Sequence, residues 1–195
     1  MRSLLLLPAL LLGSALAAPV TYRVAPLDQV SIVMAENETD IENFTAVASK
    51  VSGTVIFDPA ARTGSADLTV NGASLSTGVP LRDEHMRSAD WFNFGKMPAI
   101  TFKSTRVQYV SGDNYRVTGT LIMNGVMRTV TSTARVKLTP ANDVTRASGI
   151  TGDALAVSVV FNVKLGDFGV EHIAVQAGRV KDTLPVTIKL IASNR

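Results

Sequence analysis

Cysteine is absent from this sequence of 195 residues. A chain without thiols forms no disulfide, has no thiol nucleophile and offers no thiolate to a metal. Histidine is scarce as well, with His85 and His172 alone, whereas zinc sites need three or four ligands that converge on the ion. No Gly-x-Ser-x-Gly motif, which would place a serine nucleophile on a strand-to-helix turn, is present. We therefore expect no metal, no cofactor and no enzymatic activity.

Charge of one sign and aromatic side chains are also in short supply. Lys and Arg outnumber Asp and Glu by 19 to 16, and the basic residues are scattered. Nucleic-acid-binding surfaces concentrate many basic side chains, so we expect no nucleic-acid partner. Three tyrosines and one tryptophan are too few for the aromatic girdles of an outer-membrane barrel. The hydrophobic fraction of 46% nevertheless provides enough side chains for the core of one domain.

The N-terminal residues have the pattern of an export signal. Arg2 supplies a positive start, Leu4 to Leu12 form an apolar run, and Ala15-Leu16-Ala17 is a small-x-small cleavage site. The run is well short of the ~20 residues that a membrane-spanning helix needs. The sequence predicts a signal peptide over residues 1–17, cleavage after Ala17, and a periplasmic or secreted domain over residues 18–195.

One stretch in the middle of the chain has helical features. Pro80 suits the first turn of a helix, and Asp83 lies where a carboxylate favours the positive end of the helix dipole. Three aromatic residues at 91, 92 and 94 follow, and Pro98 prevents the helix from continuing. We predict a helix from Pro80 to Asp90 that closes one end of a β-structure, with Arg82 and Asp83 ordering it against a strand end.

The remainder of the chain has the alternating pattern of β-strands. Runs of antiparallel strands with tight turns favour a sandwich or a barrel. The stretch from Pro140 to Gly152 predicts a mobile loop. The predicted strands, about eight with a short one at the start, are Thr21 to Ala25, Gln29 to Glu36, Ala48 to Phe57, Ser65 to Leu75, Ala99 to Tyr109, Asn114 to Met123, Arg128 to Leu138, Ala154 to Leu165 and Thr183 to Ala192.

A hairpin at Asn124-Gly125 predicts which side chains face inward. A two-residue turn pairs Met123 with Val126, because both turn positions tolerate a positive φ. One face of the hairpin is then rich in threonine and suits water. The other carries the pairs Tyr115/Ala134, Val117/Ser132, Gly119/Val130 and Leu121/Arg128. The small residues of this inner face either leave room for a ligand or accommodate bulky neighbours in a filled core, and the residues alone leave both alternatives open.

Four ordered stretches resemble the polyisoprenoid-binding (YceI-like) family. They are residues 82–92 (RDEHMRSADWF), 98–104 (PAITFKS), 119–128 (GTLIMNGVMR) and 161–169 (FNVKLGDFG). The resemblance implies a lipocalin-like antiparallel β-barrel of about eight strands, with the short helix closing one end, that encloses an isoprenoid chain and has no catalytic residues. The chain departs from the family at residues 36–40 (ENETD), where relatives often carry a basic or histidine-containing turn.

With this resemblance, we expect an exported protein that sequesters or carries an amphiphilic, quinone-like isoprenoid lipid. The resemblance leaves room for a homodimer and for transient membrane contact during lipid exchange. The alternative is a stress-response interaction module with a filled core and no lipid. We expect the ligand to contact two polar handles, Tyr115 and Arg128, and a lining of Phe102, Val117, Gly119, Leu121, Val130, Ser132, Ala134, Val157, Val159 and Phe161.

Overall fold

The computed structural model of the chain describes residues 18–25 and 31–195. The predicted signal peptide and the first two residues of the strand predicted from Gln29 lie outside these ranges. In the described part, the α-helices are α1 (Pro80–Arg87), α2 (Asp143–Ala147) and α3 (Ile173–Gln176), and the strands are β1 (Val20–Val24), β2 (Ile32–Asn37), β3 (Phe44–Ala48), β4 (Val51–Asp58), β5 (Thr63–Asn71), β6 (Leu75–Ser76), β7 (Ala99–Ser111), β8 (Asn114–Met123), β9 (Val126–Thr139), β10 (Ala154–Lys164) and β11 (Thr183–Ser193).

The strands form a closed eight-stranded antiparallel barrel. From β7 to β11 each strand pairs with the next, and β7 pairs with β5. On the other side, β1 and β2 pair with successive parts of β11. β1 also pairs with β4, which pairs with β5. In the same way, β2 pairs with β3, which pairs with β6. Each of the couples β1/β2, β3/β4 and β5/β6 thus occupies one position in the ring, and the prediction of a barrel is confirmed.

The register of the β8–β9 hairpin is the predicted one. Met123 pairs with Val126, and the four inner pairs from Tyr115/Ala134 to Leu121/Arg128 are present. Asn124 and Gly125 both have positive φ, as the two-residue turn requires. The threonines at 129, 131 and 133 are exposed on the outer face. The alternation of side chains therefore determined which face of the hairpin lines the barrel.

Two predicted strands are interrupted. The strand predicted from Ala48 to Phe57 is β4 preceded by a separate β3, and the strand predicted from Ser65 to Leu75 is β5 and β6 with a 3₁₀ turn between them. Gly72 lies in this turn with the ring of Phe94 directly against it, so a side chain there would collide with the ring. The interruption gives the aromatic ring a place to pack, which local strand propensity does not reveal.

The predicted helix is present as α1, although it ends at Arg87 rather than Asp90. Ser88 has extended backbone angles, and the aromatic residues follow in a turn. Phe92 and Phe94 are buried and stacked, with ring centroids 5.5 Å apart. Burial of these two rings fixes α1 across one end of the barrel.

The prediction of a mobile loop from Pro140 to Gly152 is wrong in part, because the loop contains α2. Asn142 caps this helix: its side chain accepts hydrogen bonds from the N–H groups of Val144 and Thr145. Thr145 completes a capping box by accepting a hydrogen bond from the N–H of Asn142. In most capping boxes the residue at the third helical position is Glu or Gln, whereas here it is Thr145, so the sequence does not show the usual capping-box pattern.

The buried side chains form two clusters, one toward each end of the barrel. The cluster at the α1 end includes Phe92, Met123 and Leu165, and the cluster at the opposite end includes Tyr22, Tyr115 and Leu155. None of the helices in the described residues has the length and apolar character needed to cross a membrane.

Candidate functional site: an apolar cavity series with a polar vestibule

An apolar cavity of about 120 Å³ lies inside the barrel, toward the end opposite α1. We call it the far cavity. Apart from Ser65 and Ser132, its wall consists of apolar and aromatic residues. An apolar cavity of comparable size stays dry and binds apolar molecules in other proteins. The wall is formed by Val55, Ile56, Phe57, Gly64, Ser65, Ala66, Leu68, Phe102, Val107, Tyr115, Val117, Leu121, Val130, Ser132, Ala134, Val136, Val157, Val159, Phe161, Ile188 and Leu190.

A second apolar cavity of about 110 Å³, the near cavity, adjoins the first toward α1. Between Val33 on β2 and Met123 on β8 it spans the barrel, and Phe92 of the aromatic turn forms part of its wall. The two cavities share a waist of six residues, all apolar. These are Leu68, Phe102, Leu121, Phe161, Ile188 and Leu190.

Most of the residues predicted to contact a ligand are in the wall of the far cavity. The structure brings together ten of the twelve, from β7, β8, β9 and β10. They are Phe102, Tyr115, Val117, Leu121, Val130, Ser132, Ala134, Val157, Val159 and Phe161. For the six residues on β8 and β9, the position in the wall follows from the hairpin register and the alternation of inward and outward side chains. Ligand contact by these residues remains a prediction.

Gly119 does not reach either cavity, so its predicted place in the lining needs correction. The ring of Phe102 lies directly against its Cα, and a Cβ built at Gly119 would also lie 2.6 Å from the carbonyl oxygen of Lys103. The absence of a side chain at Gly119 therefore makes room for Phe102 rather than for a ligand. Phe102 in turn forms the waist between the cavities.

The predicted ligand contact of Arg128 also needs correction, because Arg128 is exposed and lies in the wall of neither cavity. It faces Leu121 across the hairpin as predicted, and its guanidinium donates a hydrogen bond to the carbonyl oxygen of Met127, 2.9 Å away. The β9–β10 ladder runs only from Ala134 to Thr139 on β9. Since Arg128 lies beyond the end of this ladder, its charged group has a direct path to solvent.

Tyr115, the other predicted polar handle, lies in the far-cavity wall at the end of the barrel away from α1. Its ring makes edge contacts with Phe57 and Tyr109, each with a centroid separation of 5.6 Å. Burial is the main cause of its raised pKa, and Tyr109 adds to the effect while Arg62 opposes it. The hydroxyl group therefore stays protonated and neutral at physiological pH.

A larger space of about 350 Å³, which we call the vestibule, adjoins the near cavity at the α1 end. The two share Ala35, Leu75, Phe92, Leu165 and Leu184. Unlike the two cavities, the vestibule has charged side chains and histidines in an otherwise apolar wall, namely Glu42, Arg82, His85, His172 and Arg179. Charged groups are thus present at the vestibule and absent from the walls of the two cavities.

Glu42 holds the two arginines of the vestibule. Its carboxylate accepts a hydrogen bond from Arg82 at 3.4 Å and forms an ion pair with Arg179 at 3.2 Å. The guanidinium of Arg82 also lies over the ring of Phe44, 4.4 Å from its centroid. Two positive charges share one negative charge, so this group of three carries a net charge of +1.

The imidazole of His172 is stacked on the indole of Trp91, with centroids 4.4 Å apart. Its Nδ1 accepts a hydrogen bond from the N–H of Ala174 at the start of α3. In the neutral imidazole the hydrogen is then on Nε2, which is free to donate to another group. This pair offers a flat aromatic surface and a hydrogen-bond donor at the vestibule.

Asp83 fastens α1 to the strand end beside it. This buried carboxylate accepts hydrogen bonds from the hydroxyl of Ser76 and from the N–H and hydroxyl of Thr77, the latter two at 2.7 Å. Burial alone would raise the pKa of Asp83, but these hydrogen bonds and the charge of Arg87 outweigh it and hold the pKa below its usual value. The predicted ordering role of Asp83 matches these contacts, while Arg82 points to Glu42 instead.

Sequence reasoning missed most of the vestibule. Glu42 follows β2, whereas His172 and Arg179 lie on either side of α3, far later in the chain. Asn37, the last residue of β2, joins Glu42 to Arg179. The side-chain amide of Asn37 donates to the carbonyl oxygens of Glu42 and Arg179, and its oxygen accepts from the N–H of Lys181. A buried asparagine with three such partners is a tertiary feature. The departure from the family pattern at residues 36–40 was the one local signal that this region is distinctive.

Comparisons with known proteins agree with this architecture. The model of the YceI-like domain matches residues 22–192. BcnA of Burkholderia cenocepacia has a similar structure, with a TM-score of 0.72 and 26% identity over 84% of this chain and 96% of that one. A polyisoprenoid binding domain from Saccharophagus degradans is similar in fold, with a TM-score of 0.64 and 16% identity over 90% of this chain and 99% of that one.

Curated relatives match over shorter segments. A UPF0312 protein of Pseudomonas paraeruginosa is 39% identical over 106 residues, which cover 53% of this chain and 51% of that protein. Protein YceI of Escherichia coli O17:K52:H18 is 42% identical over 87 residues, which cover 43% of this chain and 44% of that protein. The chain therefore spans about half the length of the curated relatives it matches. Because the domain model matches most of the chain, this protein belongs to the YceI-like domain family.

Proposed function

We propose that this protein binds an amphiphilic polyisoprenoid lipid, with the apolar tail in the two cavities and the head group in the vestibule. The observation that carries the proposal is the series of three adjoining spaces, of which the vestibule has charged side chains in its wall and the two cavities have none. Each buried CH₂ group contributes about 0.8 kcal/mol, so a tail in this interior binds without many polar contacts. The structural neighbour from Saccharophagus degradans is a polyisoprenoid binding domain, which supports the same ligand class.

The vestibule favours a neutral, quinone-like head over a phosphate or diphosphate. Glu42 offsets one of the two arginine charges, so the group offers a single net positive charge to an anionic head. The stacked Trp91 and His172 suit a flat ring, and a hydrogen on Nε2 of His172 suits a carbonyl acceptor. We further propose that the protein works as a carrier or store after export, which the signal pattern of residues 1–17 supports.

The test begins with native mass spectrometry of the protein expressed with its own leader and purified without detergent. Solvent extraction then identifies any bound molecule. A stoichiometric isoprenoid adduct would support the carrier function. A mass without adduct that stays unchanged after incubation with prenyl quinones and polyprenyl phosphates would favour the interaction module.

The head group can be tested with the only tryptophan of the chain, Trp91, which lies in the vestibule. Titration with an eight-unit prenyl benzoquinone should quench its fluorescence with saturation at one equivalent. A polyprenyl phosphate of the same tail length should bind more weakly, because its charge of about −2 exceeds the single net positive charge of Glu42, Arg82 and Arg179. Tighter binding of the phosphate would refute the assignment of a neutral head.

A further inference from the structure

The barrel wall has a gap between β5 and β7 at the end away from α1. Their ladder runs from Asn71/Ala99 to Asp67/Lys103 and ends there, although both strands continue. Beyond it, the N–H of Ala66 donates to the hydroxyl of Ser104 at 2.8 Å in place of a backbone partner. The β7–β8 register shifts just after this point, as at a β-bulge, which bends a strand away from its neighbour.

At the end farther from α1, the gap is bounded by a side-chain contact. The guanidinium of Arg62, at the turn between β4 and β5, lies 4.2 Å from the centroid of the Tyr109 ring on β7. Arg62 has a positive φ of 53°, which directs this turn. The opening therefore extends from the Ala66–Ser104 hydrogen bond to the Arg62–Tyr109 contact.

The far cavity reaches the surface at this gap. Two of its wall residues, Ile56 and Ser65, lie on the outward faces of β4 and β5, since their neighbours Val55, Phe57 and Ala66 face inward. Ile56 is 39% exposed, and Tyr109, which bounds the gap together with Arg62, is 36% exposed. These side chains give the rim an apolar surface that can cover an emerging hydrocarbon chain.

A second interruption of the wall, between β9 and β10, is different because it is filled. The hydroxyl of Ser132 donates to the carbonyl oxygen of Val160 at 2.9 Å, beyond the last backbone pair. The 3₁₀ turn Leu165–Phe168 then covers the start of β9, with the Asn124 side chain donating to the carbonyl oxygen of Phe168 at 3.1 Å. Both Leu165 and Phe168 are buried there. The outward residues of β9 and β10 take no part in the cavity wall.

We propose that the β5–β7 gap is an exit for the distal end of the ligand's apolar tail. A tail that enters from the vestibule passes the near cavity and the waist, and arrives in the far cavity beside Ser65. Tails longer than the two cavities can hold then leave through the gap, so the interior of the barrel sets no upper limit on tail length. This inference rests on the proposed function and adds a determinant of tail-length specificity.

The test blocks the gap from outside. The chain has no cysteine, so Ser65→Cys can be labelled with a bulky maleimide at one position. Ser158→Cys is the matched control, since Ser158 is an exposed serine on the outer face of β10 between the wall residues Val157 and Val159. Binding of benzoquinones with two and with eight isoprene units is measured by quenching of Trp91.

We expect the label at position 65 to weaken binding of the eight-unit quinone by about tenfold or more, as when roughly two methylene groups stay unburied. Binding of the two-unit quinone, whose tail ends before the gap, should change far less. The protein labelled at position 158 should bind both quinones like the unlabelled chain.

Three outcomes would overturn the exit. Equal long-tail affinity of the two labelled proteins would place the tail end inside the barrel. Equal weakening of both quinones would mean that the label disturbs the barrel as a whole. Failure of the unlabelled protein to bind either quinone would remove the proposed function, and the exit with it.

A second measurement uses the unmodified protein. An eight-unit prenyl quinone with a diazirine at its tail end is irradiated in the complex, and the labelled peptides are identified by mass spectrometry. The exit predicts cross-links within residues 56–66 and 104–110. Cross-links confined to the walls of the near cavity would contradict it.

Discussion

Ala134→Phe is the substitution that most directly tests whether the far cavity holds a lipid tail. Ala134 is 2% exposed and its methyl group is in the cavity wall. The ring of phenylalanine would enter a space of about 120 Å³ and compete with the tail for it. The tail would then give up roughly the burial of three to five carbon atoms, or about 2–4 kcal/mol.

This loss corresponds to a dissociation constant that is roughly 30- to 1,000-fold higher for a long-tailed prenyl quinone. Overpacking a dense core costs about 1–3 kcal/mol, but here the ring enters a cavity, so the free energy of unfolding should change by less than about 1 kcal/mol. Trp91 quenching measures the first quantity and urea denaturation the second. The combination of weak binding with near-normal stability is the signature of a blocked ligand site.

Thr133→Phe is the matched control, because Thr133 is the neighbouring residue on the exposed outer face of β9 and pairs with Arg116. It adds a ring at nearly the same place in the chain without entering the cavity. Equal affinity of Ala134→Phe, Thr133→Phe and the original chain for the long-tailed quinone would refute the assignment of the far cavity to the tail.

Two further predictions concern the residues that shape the site. Asp83→Asn should lower the free energy of unfolding at pH 7 by about 1.5–3 kcal/mol, because it weakens the charged hydrogen bonds that hold α1. Since the folded pKa of Asp83 lies below the unfolded value of about 3.9, its contribution is full above that value and is lost as the pH falls through the folded pKa. The variant should therefore lose less stability than the original chain between pH 7 and pH 3 in urea titrations, and an equal loss would contradict this role. Gly119→Ala should destabilise the barrel by about 1–3 kcal/mol through collision with Phe102 and the Lys103 carbonyl group. An unchanged urea midpoint would show that Phe102 moves freely.

Much of the barrel could be predicted locally because strands alternate their side chains with a period of two. The turn at Asn124-Gly125 set the β8–β9 register, and the register set which residues line the interior. Six of the ten predicted contact residues in the wall of the far cavity lie on this hairpin, and the other four lie on β7 and β10. The helix α1 was also predictable from local residues, since Pro80 and Asp83 mark its first turn.

Predictions failed where neighbours distant in the chain decide the outcome. Gly119 appeared to leave room for a ligand, but the ring of Phe102 from β7 fills that place. Arg128 has the register of an inward residue, but the β9–β10 ladder ends before it and its side chain reaches solvent. Neither event has a signal in the local pattern of hydrophobic and polar residues.

The sequence by itself determined most of the strands, the inner face of the hairpin, the first turn of α1 and the absence of thiol chemistry, because these depend on residue type and on contacts a few positions apart. The tertiary structure alone decided the vestibule and the gap. In the vestibule, Glu42, Arg82 and Arg179 meet from three separate segments. At the gap, Arg62 contacts Tyr109 beyond the end of the β5–β7 ladder. Such meetings depend on how the strands close into a ring, and closure is a property of the whole chain rather than of any segment.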